Sequence, residues 1–198
     1  MGWAYNADNG FSISSNVVSK QNASNNGFLT AEAQTNWSTQ VAYTTDKYHV
    51  SLISALKYNG WTDSYYTTTL GKARPDGNST NYGLRAYWRP DESGSAVPEL
   101  SAGYDFSKVG GQDADTDAFF VGLTWKDSFQ ADDRVGIAVG KPQTSDDDTV
   151  EPFAWEAYYS YKVNDSVTVS PGIFGATDRT GTSGVDLTGA IIETTFKF

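Results

Sequence analysis

Leu187 to Phe198 reads LTGAIIETTFKF and alternates strictly. Thr188, Ala190, Ile192, Thr194, Phe196 and Phe198 fall on one face, and Gly189, Ile191, Glu193, Thr195 and Lys197 on the other. Side chains of a β-strand point to opposite faces with period two, so this stretch is a strand with one mostly apolar and one charged face.

A strand of that kind ending on an aromatic residue is the usual finish of an outer-membrane β-barrel. The mean hydropathy of −0.47 over 198 residues does not oppose this. A barrel strand crosses the bilayer in about 9 to 11 residues and shows lipid only every second side chain. No run of about 18 apolar residues predicts a membrane helix. Aromatic residues make up 14% of the chain and Gly occurs 19 times, which favours an all-β fold. The absence of Cys removes disulfide, thiolate and Cys-metal chemistry.

Alternation predicts about ten strands, near 11–18, 30–43, 48–58, 80–89, 98–108, 117–127, 133–141, 152–163, 166–177 and 187–198. Trp3 to Tyr5 read as the end of a further strand, followed by a turn over Asn6 to Gly10 with an Asp-Asn-Gly signal. Connections at 44–47, 90–97, 128–132 and 164–165 are read as short, and those at 19–29, 59–79, 109–116, 142–151 and 178–186 as longer and polar. Tight turns on one rim and long loops on the other are a property of transmembrane barrels. The expected fold is an antiparallel transmembrane β-barrel domain over 1–198. We read it as the carboxy-terminal part of a barrel of about 16 to 18 strands, with a self-contained barrel of about ten as the alternative.

Apolar rows repeat in the inner strands: Tyr82, Leu84, Ala86 and Trp88; Leu100, Ala102, Tyr104 and Phe106; Phe119, Val121, Leu123 and Trp125. Tyr43, Tyr48, Trp88, Trp125, Tyr161, Phe196 and Phe198 fall beside the short-turn rim, as an aromatic girdle at the membrane interface would. On the opposite faces, Lys57, Arg85, Arg89, Glu99, Asp105, Lys126, Arg134, Glu156, Lys162, Glu193 and Lys197 are the candidate pore-lining charges. Gly83, Gly103, Gly122, Gly136 and Gly140 among them leave the lumen room.

The terminal TGAIIETTFKF, the hairpins WAYNADNGFSIS and TQVAYTTDKYHVSLISALKYNG, and SYKVNDSVTVSPGIFGATD together resemble the barrel region of cyanobacterial outer-membrane porins of the carbohydrate-selective porin (OprB) family. The resemblance spans nearly the whole chain. It implies passive diffusion of small hydrophilic solutes, sugars and inorganic ions among them, across the outer membrane. A barrel of this kind has lipid and lipopolysaccharide as its expected surroundings, and a homotrimer, common among general porins, as a candidate assembly. The resemblance supplies no catalytic motif, cofactor or metal site. The wall-gripping domain that precedes such barrels has no counterpart in these residues.

The net charge of −10 lies largely in loops, so the wall itself is expected to be neutral to basic and to prefer anions or neutral solutes weakly. The acidic balance argues against nucleic acid as a partner. The clusters Asp113, Asp115, Asp117 and Asp146 to Asp148 lack EF-hand spacing and read as solvated loop charge. The single His49 sits beside the 44–47 turn without a hydrolase motif, so no catalytic residue is expected. The rival is a soluble β-sandwich that binds carbohydrate through Trp61, Tyr65 and Tyr66; a third reading is a non-conducting structural envelope barrel.

Overall fold

The computed structural model describes residues 1–20, 30–61, 78–91, 96–109, 115–145, 148–179 and 182–197. They form one sheet of eleven strands: β1 (Gly2–Asn6), β2 (Phe11–Lys20), β3 (Gln34–Thr44), β4 (Tyr48–Tyr58), β5 (Ser79–Trp88), β6 (Glu99–Val109), β7 (Asp115–Lys126), β8 (Arg134–Ser145), β9 (Phe153–Asn164), β10 (Val167–Thr177) and β11 (Leu187–Phe196). Each strand pairs antiparallel with the next in chain order, and the sheet is open, with β1 and β11 at its edges.

The ladder explains why the two faces differ so sharply. Because register is continuous, the alternation of each strand is added to that of its neighbour. Tyr82 lies opposite Phe106, Leu84 opposite Tyr104, and Ala102 opposite Val121, so apolar side chains run across one face from strand to strand. Leu52, Leu84, Tyr104, Val121, Ile137 and Ile173 on this face are all solvent-exposed. Among the described residues, the only buried apolar side chains are the small Ala33, Ala42 and Pro152. A sandwich would bury its apolar rows against a second sheet. All eleven strands belong to one sheet and no second layer covers it among the described residues, so the fold is not a sandwich.

Turn chemistry sets the hairpins. Gly10 has φ of +89°, and a Cβ there would stand 2.2 Å from the Thr44 carbonyl oxygen, so only glycine fits. The turn at 127–133 is organised instead by a carboxylate. Asp133 is fully buried and accepts the backbone N–H groups of Ser128, Phe129 and Gln130 at 2.7 to 3.0 Å.

The rims differ from the sequence reading in two places. The connection 89–98 belongs to the short-turn rim yet is long, and 110–114 belongs to the other rim yet is short. Strand β8 also runs four residues beyond its expected end. Lys141, Pro142 and Gln143 look like a loop signal, but a bulge between Asp117 and Phe119 gives β8 an extra residue, where the missing Pro142 N–H costs no ladder bond.

Candidate functional site

Opposite the apolar face, the ladder gathers the predicted pore-lining charges. Lys57, Arg85, Glu99, Asp105, Lys126, Arg134, Glu156, Lys162 and Glu193 share one face through continuous register, and Arg89 and Lys197 continue it past the ends of β5 and β11. Two cavities open on this side, which is called the inner face below.

Many of these charges are paired within the face. Arg85 Nη2 contacts Asp105 Oδ2 at 2.8 Å, and the carboxylate of Glu99 receives both Lys126 and, at 3.7 Å, Arg89. Lys162 reaches down to Asp132 in the turn at 2.8 Å. Lys57 is buried. Arg134, Glu156 and Glu193 form no ion pair among the described residues. Arg134 and Glu193 stand at the two ends of a cross-strand row whose middle is the Ser160–Ser170 hydroxyl pair, 2.8 Å apart.

The larger cavity has a volume of about 720 Å³. Ala138, Gly140 and Ala154 line it between two aromatic rings, Phe120 and Phe174, with Asp105 and Glu156 alongside. Its width depends on glycines. A Cβ at Gly103 would meet the Phe120 ring at 2.3 Å, and one at Gly189 would meet the Phe174 ring at 2.6 Å, so each ring lies down over a glycine on the neighbouring strand. Tyr158 lies over Gly136 in the same way. The inward glycines therefore seat aromatic rings rather than simply emptying the lumen. The inward rings of Phe120 and Phe174 escaped the sequence reading. The pair Phe119-Phe120 held the signal, since alternation must send one of the two inward.

At the short-turn rim, Tyr43, Tyr48, Trp88 and Phe196 are exposed on the outer face; Trp125 and Tyr161 share that face and are half-buried. Phe198 lies outside the described residues, as do Tyr65, Tyr66, Asp113, Asp146 and Asp147. Tyr159 and Tyr161 stack at 5.5 Å, and Phe129, 80% exposed at the turn, packs edge-on against Tyr159 at 5.6 Å. Trp61, assigned to carbohydrate binding in the sandwich reading, sits 5.0 Å from the Lys20 ammonium.

In the turns, two carboxylates and one amine are tuned. Burial works against the charge on Asp133, but three backbone donors and the Tyr159 hydroxyl hold its carboxyl below the ordinary value. The hydrogen bond from Lys162 holds Asp132 low as well. Asp91 raises the Lys47 amine by its hydrogen bond across two turns. Among the described residues no group of three or more metal-ligating side chains occurs.

A solved structure shares this architecture. OmpT, an outer membrane protein of Vibrio cholerae in its trimer form, aligns over 99% of this chain with a TM-score of 0.58 and 14% identity. The fold is that of an outer-membrane β-barrel. This chain spans 64% of the neighbour's length. No protein-family model and no curated protein matches the sequence.

The expectation of a chain without catalysis is corrected here. The likeness to OmpT at 14% identity decides the fold and leaves activity open, so the absence of catalysis is withdrawn. The exclusion rested on motif spacing, whereas catalytic groups are recognised by geometry across elements. His49 Nε2 lies 3.0 Å from Ser51 Oγ, two residues along β4, and pairing with the neighbouring strands sets its Nδ1 2.7 Å from Thr44 Oγ1 and stacks Tyr87 on the ring at 5.2 Å.

Proposed function

We propose that this chain forms the wall of an outer-membrane porin that lets small hydrophilic solutes and ions, sugars and inorganic anions among them, diffuse passively. The observation that carries the reading is the two-faced sheet: an apolar face exposed among the described residues, and an opposite face of ion pairs, hydroxyls and open cavities. Lipid satisfies the first and water the second. The resemblance to carbohydrate-selective porins supports the same reading, and the trimeric form of the structural neighbour supports a homotrimer in the outer membrane. Lipid and lipopolysaccharide would then surround it.

The inner face carries Lys57, Arg85, Arg89, Lys126, Arg134, Lys162 and Lys197 against Glu99, Asp105, Glu156 and Glu193. Charges lining a wall weigh more in permeation than distant loop charge, so weak preference for anions or neutral solutes is expected. Refolding in detergent, reconstitution into planar bilayers and reversal-potential recording test this. Discrete ohmic steps with weak anion preference support the proposal. Strong cation selectivity removes the selectivity assignment, and a folded but silent protein favours a structural envelope barrel.

A further inference from the structure

Arg85, Asp105 and Phe120 form a cation site that the protein fills by itself. The Arg85 guanidinium contacts the Asp105 carboxylate at 2.8 Å and stands 5.7 Å from the centre of the Phe120 ring. That ring lies over Gly103, which pairs with Arg85 on one side and with Phe120 on the other. A planar guanidinium is suited to both contacts, since it can fork onto a carboxylate and stack on an aromatic face.

The same parts recur at β9 to β11 without the cation. Phe174 lies over Gly189, its partner in the β10–β11 ladder, and Glu156 stands directly opposite Phe174 in the β9–β10 ladder. Both side chains line both cavities. Neither has an ion pair, a hydrogen bond or a ring contact among the described residues. Charge in the larger cavity is also uncompensated. Asp105 is held by Arg85 and Lys141 by Asp117, which leaves the Glu156 carboxylate without a counterpart there. Arg134 lines only the smaller cavity and does not reach Glu156.

We infer that Glu156 and Phe174 bind the guanidinium head of a small organic monocation whose apolar part rests on Ala138, Gly140 and Ala154. The carboxylate supplies a charge-assisted hydrogen bond and the ring supplies a cation–π face, as Asp105 and Phe120 do for Arg85. The site is one acidic pocket on an otherwise basic wall, so it retains such a cation locally without making the wall cation-selective. The inference rests on the porin reading in needing a wetted inner face.

The experiment is calorimetric titration of the detergent-folded protein with N-acetyl-arginine amide and with its neutral isostere N-acetyl-citrulline amide, alongside conductance in the presence of each. Binding of the arginine probe about tenfold or more tighter than the citrulline probe is expected, falling to about twofold in Glu156→Gln and weakening in Phe174→Leu. Heat-modifiable gel migration establishes that each variant is folded. Equal affinity for the two probes, or discrimination unchanged in Glu156→Gln, overturns the site. Conducting channels without binding overturn the site and spare the porin reading; binding to a folded protein that never conducts does the reverse.

Discussion

The Tyr159 hydroxyl donates a 2.9 Å hydrogen bond to the buried carboxylate of Asp133, tying the middle of β9 to the turn that joins β7 and β8. Asp133 thereby accepts from four donors at once, three of them backbone N–H groups that would otherwise be orphaned in the turn.

Stability should follow the protonation of this carboxyl. Its folded value is depressed, so its contribution is fully present above the unfolded carboxyl value, about 3.9, and is lost as pH falls through the lower folded value. Thermal unfolding in detergent should be insensitive to this group between neutral pH and about pH 4, then weaken below it. Asp133→Asn should lower the unfolding temperature at neutral pH and flatten the acid limb. Tyr159→Phe should lower it less, since the three backbone donors stay satisfied. An acid limb identical in wild type and Asp133→Asn would sink the assignment.

Charge on the apolar face should be costly. Leu84 lies between Leu52 and Tyr104 near the middle of β5, so Leu84→Arg should destabilise the protein in lipid vesicles by about 2–4 kcal/mol. Ala138→Arg, on the inner face, should leave urea stability nearly unchanged and reduce conductance. Equal stability losses for the two would contradict the assignment of the faces.

The Arg85–Asp105 pair is nearly half exposed on both sides, and pairs of that kind contribute about 1 kcal/mol or less. Its substitution should therefore act on selectivity rather than on folding. Asp105→Asn should move the reversal potential toward anions and Arg85→Gln toward cations, with little change in urea midpoint.

Phe129 should reach lipid. It is exposed at the turn and leans on the outward Tyr159 and Tyr161 stack, where an amphipathic interface favours aromatic rings. Tryptophan fluorescence added by Phe129→Trp should be quenched by brominated lipid. Absence of any quenching would place the turn in water.

Period-two patterning carried most of this architecture because each strand is two-faced over most of its length, as Tyr82 to Trp88 and Leu187 to Phe196 show. Patterning cannot see tertiary acceptors, however. Asp133 reads as the first residue of a strand over 133–141, and nothing local marks it as the fully buried acceptor of the turn. Pro142 misled the end of β8, since a bulge opposite β7 overrides the local signal against a strand. The Thr44–His49 contact and the two cavities arise from pairing between strands, and are invisible to spacing along one of them.

Phe174 and Phe120 lie flat because their neighbours on the next strand lack a Cβ. The calibre of the wall is thus written in backbone positions rather than in the rings themselves. A single methyl at residue 189 would tip the phenyl upright into the cavity, so the bore could be tightened or relaxed one carbon at a time without altering any group that carries charge.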